Sequence, residues 1–331
     1  MKYSLIILVI AMTFGFISCK KEETPKTEPL YHLKDQPKVA PFDGGNAYQM
    51  VSKQVSFGPR NPNSLAHQAA LSFFTLELKK YADTVVLQNF TYQGYNNEQL
   101  NLTNVIAKFN PKATNRIFIS AHWDCRPRAE QDKDPAKKNQ PIPGANDGAS
   151  GAGILLEIAR MLKSNPVNYG IDLVFFDGED YGKEGDIGNY FLGSKYFAAQ
   201  KSSDYRPAFG ILLDLVGDKE AVFAKEGLSM LYAPDVTNMI WNLAKKVNST
   251  AFNDVEGNQI QDDHLPLNEA GLSTVDIIDI DLVGASTPNP RRNYWHTHND
   301  TMENISKDML QQVGNVLSQL IYSLEFSKPS A

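Results

Sequence analysis

Apolar positions along the chain follow two periodicities, and each periodicity predicts a different kind of element. Short continuous apolar runs bounded by turn residues are typical of strands buried on both faces, as in a parallel sheet. Such runs occupy residues 116–121, 171–176, 209–215 and 273–280. Two further segments, 85–92 and 102–109, predict a hairpin pair of strands at one edge of the sheet.

Helical spacing of apolar residues separates these predicted strands. The first helix follows Ser64, a favourable N-cap, and extends to about residue 82. Further helices are predicted up to residue 162, at 194–200, at 234–247 and at 304–326, and a short one follows Asp263. Strands and helices alternate from residue 116 onward. We therefore predict an α/β fold, a single domain with a mixed, mostly parallel β-sheet flanked by helices on both faces.

Length and composition agree with one large catalytic domain, which we place at residues 39–331. The 331 residues are 42% hydrophobic, so a sizeable core can form. A formal net charge of −6 and a pI near 5.6 argue against nucleic acid as a partner. They suit a soluble enzyme with an acidic site.

The N-terminal residues predict export and a lipid anchor. Lys2 precedes an apolar segment at residues 5–17, which is too short for a confident membrane span. The segment ends in Phe-Ile-Ser-Cys19, similar to a bacterial lipoprotein signal of residues 1–19 with Cys19 lipidated. An ordinary secretory signal or an uncleaved anchor is the alternative. Residues 20–38 are charged and contain proline, which predicts a flexible tether. We expect the anchor to lie in the outer membrane, with the protein facing the periplasm.

Only one other cysteine, Cys125, is present, so no intrachain disulfide is expected once Cys19 is lipidated. No base is assigned to Cys125, and we interpret it as a small buried packing residue.

Polar side chains follow the predicted strands where each strand ends. Glu179 and Asp180 come just after the 171–176 strand and the Gly178 turn, where ligands bind in open α/β sheets. Taken alone, this segment is also compatible with a solvated acidic turn. Similar positions hold other candidate residues: His122, Asp124, Asp147, Asp214 and, in a late loop, His296. Two histidines with several carboxylates suit zinc, which in catalytic sites keeps three protein ligands and one open position.

The order of these motifs resembles the zinc aminopeptidase clan. The motifs are His-x-Asp124, Gly-Ala-Asn-Asp147-Gly-Ala-Ser-Gly, Phe-Asp-Gly-Glu179-Asp180, Leu-Leu-Asp214, Asp262-Asp-His and Trp295-His-Thr. Within the clan they look most like the glutaminyl cyclases. The resemblance implies one Zn²⁺ per chain held by Asp147, Asp180 and His296, with Glu179 as general acid/base. It implies that Asp214 and Asp262 complete a carboxylate network, with Asp262 also touching substrate, and that Trp295 forms part of the pocket wall.

Several of these residues have a simpler interpretation. Asp147 would also serve as the cap of the following helix, and we expect Asp263 to be such a cap. We expect His264 and His298 to lie at the surface or behind the ligands. His122 and Asp124 are two apart on an extended chain and face the same side. In the aminopeptidases the residues at the positions of His122 and Asp214 bind a second metal, which leaves a two-metal site open here.

The acidic Asp262 and the indole of Trp295 favour a cyclase over a peptidase. The expected reaction converts N-terminal glutamine of peptides and proteins to pyroglutamate with release of ammonia. The alternatives are a zinc aminopeptidase and a lipid-anchored binding protein without chemistry. Asp180 stands where the vertebrate cyclases have Glu, and the loop at 181–186 does not match theirs. The cysteine pair of many secreted animal cyclases is also absent, which suggests a bacterial branch.

Overall fold

A computed structural model describes residues 30–327 of the chain. Ten strands run in chain order: β1 (Tyr31–Leu33), β2 (Thr84–Gln93), β3 (Gln99–Phe109), β4 (Arg116–His122), β5 (Gly170–Phe176), β6 (Gly210–Asp214), β7 (Phe223–Lys225), β8 (Phe252–Glu256), β9 (Thr274–Ile278) and β10 (Leu324–Phe326). The helices are α1 (Gly44–Val55), α2 (Leu65–Leu78), α3 (Ala149–Ser164), α4 (Leu192–Gln200), α5 (Gly227–Tyr232), α6 (Pro234–Lys246), α7 (His264–Glu269) and α8 (Lys307–Ser323).

The central sheet has the order β2-β3-β5-β4-β6-β9. Strands β5, β4, β6 and β9 are mutually parallel, whereas β3 is antiparallel to both β2 and β5. The predicted mixed, mostly parallel sheet is confirmed, with the β2–β3 hairpin at its edge. The carboxyl ends of β4, β5, β6 and β9 consequently point toward one side of the molecule.

Alternate residues of the strands face two hydrophobic layers, as the apolar runs predicted. Phe175 of β5 packs against Phe74 of α2 on one face, with ring centroids 5.1 Å apart. The neighbouring Phe176 packs against Phe197 of α4 on the other face. Helices α1, α2, α3, α6 and α8 contribute to the first layer, and α4 and α7 to the second. Helices therefore flank both faces, and β4 and β5 are buried throughout.

Two boundaries predicted from the sequence are wrong at the ends of the domain. Residues 31–33, placed in the tether of residues 20–38, form β1 and pair antiparallel with β10. Residues 324–326, placed in the closing helix, leave it because Leu324 adopts an extended conformation. Both errors have one cause, since the pairing of β1 with β10 joins two segments that are far apart in sequence. The predicted signal at residues 1–19, with Cys19, and residues 20–29 of the tether lie outside the described residues.

Three further elements carry no strong sequence pattern. Helix α1 packs against α3 and α8, and the short strands β7 and β8 form a separate parallel pair. Across residues 30–327, every helix is too short or too polar to cross a bilayer.

Candidate metal and acid/base site

The candidate site lies where the parallel strands end. His122 is the last residue of β4, Asp214 is the last residue of β6, and Glu179 follows the end of β5 by three residues. Asp147 precedes α3, and His296 belongs to the loop before α8. This arrangement follows from the parallel sheet, which collects strand ends that are far apart in sequence at one edge.

The turn after β5 is held in place by two buried carboxylates. Asp177 accepts the Thr103 N–H at 2.6 Å and is contacted through both oxygens by His67 Nε2, at 2.8 and 3.0 Å. Gly178 then turns with φ of +74°, where a Cβ atom would lie 2.9 Å from a methyl of Leu102. The positive φ favours glycine at this position, and any larger side chain would also have to displace the Leu102 side chain.

The second of these carboxylates, Asp124, orients the two acidic residues that follow the turn. Its Oδ1 accepts the Glu179 N–H at 3.1 Å and its Oδ2 accepts the Asp180 N–H at 3.3 Å. Because one side chain receives both N–H groups, the positions of Glu179 and Asp180 are fixed together. Their side chains then point in different directions from neighbouring backbone positions.

Asp147, Asp180 and His296 form one group that could hold a metal ion. One donor atom from each lies within 4.8 Å of the others, and all three residues are buried. His296 Nε2 is 3.6 Å from Asp147 Oδ2 and 3.5 Å from Asp180 Oδ1. The other oxygen of Asp180 is buried without a hydrogen-bond partner among the described residues. Buried polar atoms normally have partners, so an orphaned carboxylate oxygen is what a cation site would leave.

The charge state of His296 also fits a metal. Burial, and then the charges of Arg126 and Arg128, lower the pKa of His296 well below its usual value. The imidazole is therefore neutral and has a free lone pair, as a ligand must. A neutral imidazole with two carboxylates is a donor set that zinc accepts.

His122 links this group to a second one that shares Asp147. Its Nε2 lies 3.2 Å from Asp147 Oδ1 and 3.2 Å from Asp214 Oδ1, and its Nδ1 lies 3.5 Å from Asp124 Oδ1. Burial alone would lower the pKa of His122, but the nearby carboxylates of Asp124, Asp147 and Asp214 outweigh it and raise the pKa well above its usual value. His122, Asp147 and Asp214 also have donor atoms close enough to hold an ion.

Three carboxyl groups beside the first group have raised pKa values. Burial, and then the charges of neighbouring carboxylates such as Asp180 and Asp262, raise the pKa of Glu179 well above its usual value despite the opposing charge of His122. Burial and the charges of Asp214 and Asp263 do the same for Asp262, and burial raises the pKa of Asp214. Carboxyl groups with raised pKa values can hold and exchange protons near neutral pH.

A pocket of about 430 Å³ joins these residues. One side is polar, and the other is formed by apolar and aromatic side chains, among them Ile260, Ile278 and Trp295. The Trp295 ring stacks on the ring of His296 with an interplanar angle of 19°. All seven residues predicted for zinc binding, catalysis and substrate contact line this pocket: Asp147, Glu179, Asp180, Asp214, Asp262, Trp295 and His296.

The simpler interpretations of individual residues fare differently. Asp147 does not cap α3, whose N-cap is Gly148 and has no side-chain cap. Asp263 does occupy the N-cap position of α7, but it caps nothing, and its carboxylate instead accepts the hydroxyl of Ser194 at 2.5 Å. His264 is fully buried between Glu226 and Asp276, so a surface position is wrong for it. Cys125 is buried and unpaired, as predicted.

Sequence reasoning missed three residues that support the site. Arg126 contacts Asp180, His67 contacts Asp177, and Asp300 accepts the backbone N–H groups of Asn146 and Asp147. The many carboxylates at the strand ends need cations and hydrogen-bond donors close by. Of these three residues, Arg126, two positions after Asp124, is the one that the sequence could have indicated.

The fold and the site together define an α/β enzyme of the aminopeptidase type, with an acidic pocket at the carboxyl edge of its sheet. The family model "Peptidase family M28" matches residues 104–321. The chain belongs to peptidase family M28.

Solved structures with similar folds carry two kinds of name. A glutaminyl cyclase of Bacteroides thetaiotaomicron is 40% identical, with 86% of this chain and 99% of that chain covered and a TM-score of 0.81. A leucine aminopeptidase precursor of the same organism is 39% identical, with 87% and 99% covered and a TM-score of 0.81. A glutaminyl cyclase of Porphyromonas gingivalis is 36% identical, with 86% and 99% covered and a TM-score of 0.80.

A curated relative, the aminopeptidase YwaD of Bacillus subtilis, is 25% identical over 304 residues. The alignment takes in 87% of this chain and 59% of YwaD, so the chain spans less than two thirds of that relative. Names of relatives therefore include both cyclases and peptidases, and the choice between them has to come from the residues of the site.

Proposed function

We propose that the protein is a zinc-dependent glutaminyl-peptide cyclotransferase, which converts N-terminal glutamine of peptides and proteins to pyroglutamate and releases ammonia. The observation that carries the proposal is the placement of Glu179, Asp214 and Asp262 together in one pocket beside Asp147, Asp180 and His296. Three carboxyl groups with raised pKa values suit a reaction in which protons move between two nitrogens of one substrate.

Asp147, Asp180 and His296 would hold one zinc ion. Zinc bound there supplies Lewis-acid polarisation of the γ-amide oxygen of the substrate. We propose one ion per chain. His122 Nε2 lies within hydrogen-bond distance of Asp214 Oδ1, at 3.2 Å, and this contact would take the place of a second ion.

Glu179 would act as the general acid/base. The α-amine nitrogen attacks the carbonyl carbon of the γ-amide and loses one proton to Glu179, and Glu179 gives one proton to the departing amide nitrogen, which leaves as ammonia. One C–N bond forms and one breaks, and the proton count is unchanged. Asp214 and Asp262 would hold the nitrogens and share protons with Glu179.

The apolar side of the pocket would select the substrate conformation. The attacking and leaving groups belong to one residue, so the main task is to fold the glutamine side chain back on its own amine. Trp295 and Ile260 form a wall against which a folded side chain can pack.

A zinc aminopeptidase is the second candidate. It is favoured by the group of His122, Asp147 and Asp214, which shares Asp147 with the first group as a two-metal site would. The acidic Asp262 and the Trp295 wall of the pocket favour the cyclase.

Mass spectrometry of a glutamine-initiated peptide after incubation with the zinc-loaded enzyme separates the candidates. Loss of ammonia with an intact backbone identifies a cyclotransferase. Loss of the whole first residue identifies a peptidase, and zinc content per chain gives an independent comparison of one ion against two.

We also propose that residues 1–19 direct export and that lipidated Cys19 anchors the protein to the outer membrane, facing the periplasm. The support is the sequence alone, with its apolar segment ending in Ser-Cys19. Substituting Cys19→Ala should abolish incorporation of a labelled fatty acid into the protein. Labelling that persists in Cys19→Ala would refute the lipid anchor.

A further inference from the structure

Arg126 connects Asp180 to two other segments of the pocket. Its Nη1 donates to Asp180 Oδ1 at 2.6 Å and lies 3.3 Å from the Asp180 carbonyl oxygen. Its Nε and Nη2 donate to the two oxygens of Glu130, each at 2.6 Å, and Nη2 also reaches the hydroxyl of Tyr190 at 2.8 Å. The side chain is only 1% exposed. Because its N–H groups are all engaged in these contacts, the guanidinium is held in one orientation.

These contacts divide the two oxygens of Asp180 between different tasks. Oδ1 accepts from the guanidinium and also lies 3.5 Å from His296 Nε2, whereas Oδ2 is buried and has no hydrogen-bond partner within residues 30–327. Without Arg126 the carboxylate would be free to rotate about its terminal torsion, which is a soft one. With Arg126 in place, one oxygen is presented in a fixed direction.

Two effects of Arg126 on a bound cation oppose each other. A guanidinium within hydrogen-bond distance of a ligand repels a divalent ion, which would weaken binding. Orientation of the ligand strengthens binding, and the loss of such a supporting partner typically costs about 10- to 100-fold in metal affinity. The paired hydrogen bonds to Glu130 offset much of the positive charge, so orientation should dominate.

We propose that Arg126 is a positioning residue that restricts Asp180 to one-oxygen coordination of zinc and so keeps a coordination position open for substrate. The proposal rests on the metal role proposed for Asp180 and is independent of whether the reaction is cyclisation or hydrolysis.

Zinc affinity, measured by competition with a chelator, tests the proposal, because loss of orientation weakens binding whereas loss of charge repulsion strengthens it. Arg126→Met removes the charge and the donors, and we expect affinity to fall by about 10- to 100-fold. Arg126→Gln keeps a hydrogen-bond donor without the charge, so its zinc affinity should fall by a smaller factor. The matched control is Arg116→Met, which breaks another buried arginine–carboxylate pair, Arg116 with Asp172, outside the pocket. It should leave zinc affinity unchanged.

Cobalt(II) substitution gives a second readout. If Arg126 limits Asp180 to one oxygen, Arg126→Met allows a second oxygen to bind, and the visible absorption of the cobalt enzyme should weaken as the coordination number rises. An unchanged spectrum, or zinc affinity that is unchanged or tighter in Arg126→Met, would overturn the proposal.

Glu130→Gln provides a milder variant should Arg126→Met fail to fold. It leaves the guanidinium in place but weakens its anchor, and zinc affinity should fall by a smaller factor in the same direction; an unaltered affinity in that folded variant counts against Arg126. Wild-type protein that binds no zinc would refute the proposed function together with this role, whereas normal wild-type binding with an unaltered Arg126→Met affinity refutes the role alone.

Discussion

Replacing Glu179 with glutamine is the most direct test of the proposed chemistry. The side chain keeps its size, and its backbone N–H still donates to Asp124, so the turn after β5 should not move. Glu179 does not belong to the group formed by Asp147, Asp180 and His296. The substitution therefore removes a proton-transfer group and leaves the proposed zinc ligands in place.

The expected loss of activity follows from the usual contribution of general acid–base catalysis, about 10²- to 10⁴-fold. A factor of ten corresponds to about 1.36 kcal/mol in activation free energy, so the barrier should rise by roughly 3–5 kcal/mol. The stability of the fold, in contrast to the activity, should be unchanged or should increase. Glu179 is only 8% exposed, and its raised pKa reflects burial among other carboxylates, so an amide relieves an unfavourable charge.

Three measurements on the same preparation check this reasoning. Turnover of a glutamine-initiated peptide should fall by the stated factor, zinc content should match wild type, and the midpoint of thermal unfolding should be equal or higher. Glu98→Gln is a control, since Glu98 also contacts a residue near the turn, Tyr181, but does not line the pocket. Turnover within threefold of wild type in Glu179→Gln would refute the assigned role, and loss of zinc would show that Glu179 acts as a ligand.

Three further predictions concern the metal, the pocket wall and a buried network behind the site. Removing metal with a chelator should abolish turnover, and one equivalent of zinc per chain should restore it; a requirement for two equivalents would favour the two-metal peptidase. Trp295→Ala should raise KM by about tenfold with a smaller change in kcat, because a stacked aromatic wall contributes on the order of 1 kcal/mol, and Trp295→Phe should lie in between; an unchanged KM would exclude Trp295 from substrate contact. Burial tends to raise the pKa of Glu226, but contact with His264 and backbone N–H groups outweigh it and lower the pKa to about 2 from 4.5. Because the pKa of Glu226 is lower in the folded state, its ionised form stabilises the fold at pH values above 4.5, and this stabilisation is lost as the pH falls through about 2. The free energy of urea unfolding should therefore differ by ~3 kcal/mol between wild type and Glu226→Gln at pH 7, and the two values should converge in strong acid. A difference that stays constant with pH would contradict this account.

Local patterns were sufficient to predict the part of the fold that carries the site. Strand β5 is an apolar run interrupted only by Asp172, and β4 and β6 are mainly apolar, so their burial and parallel pairing follow from these runs and from their alternation with helices. The polar residues that end these strands then had to meet at one edge. The structure brings Asp147 and Asp180 together with His296, which is more than a hundred residues further along the chain.

What the sequence did not predict depends on contacts between distant segments. Strands β1 and β10 are only three residues long, and neither has a pattern that distinguishes it from a loop or a helix end. Asp263 stands at a sequence position typical of a helix N-cap, but its carboxylate accepts a hydrogen bond from Ser194 of α4 instead. His264 was expected at the surface or behind the ligands, and it is buried because Glu226 and Asp276, which come from other elements, enclose it.

The attachment of two consecutive residues to a single carboxylate has a mechanical consequence. Asp124 follows β4, and Glu179 and Asp180 follow β5, its hydrogen-bonded neighbour. Thermal sliding of one strand against the next would carry the proposed base and the proposed metal ligand as a unit, so the spacing between them is preserved while the sheet flexes. Substitutions at Asp124 and at either acidic residue should accordingly show non-additive effects in double-mutant cycles.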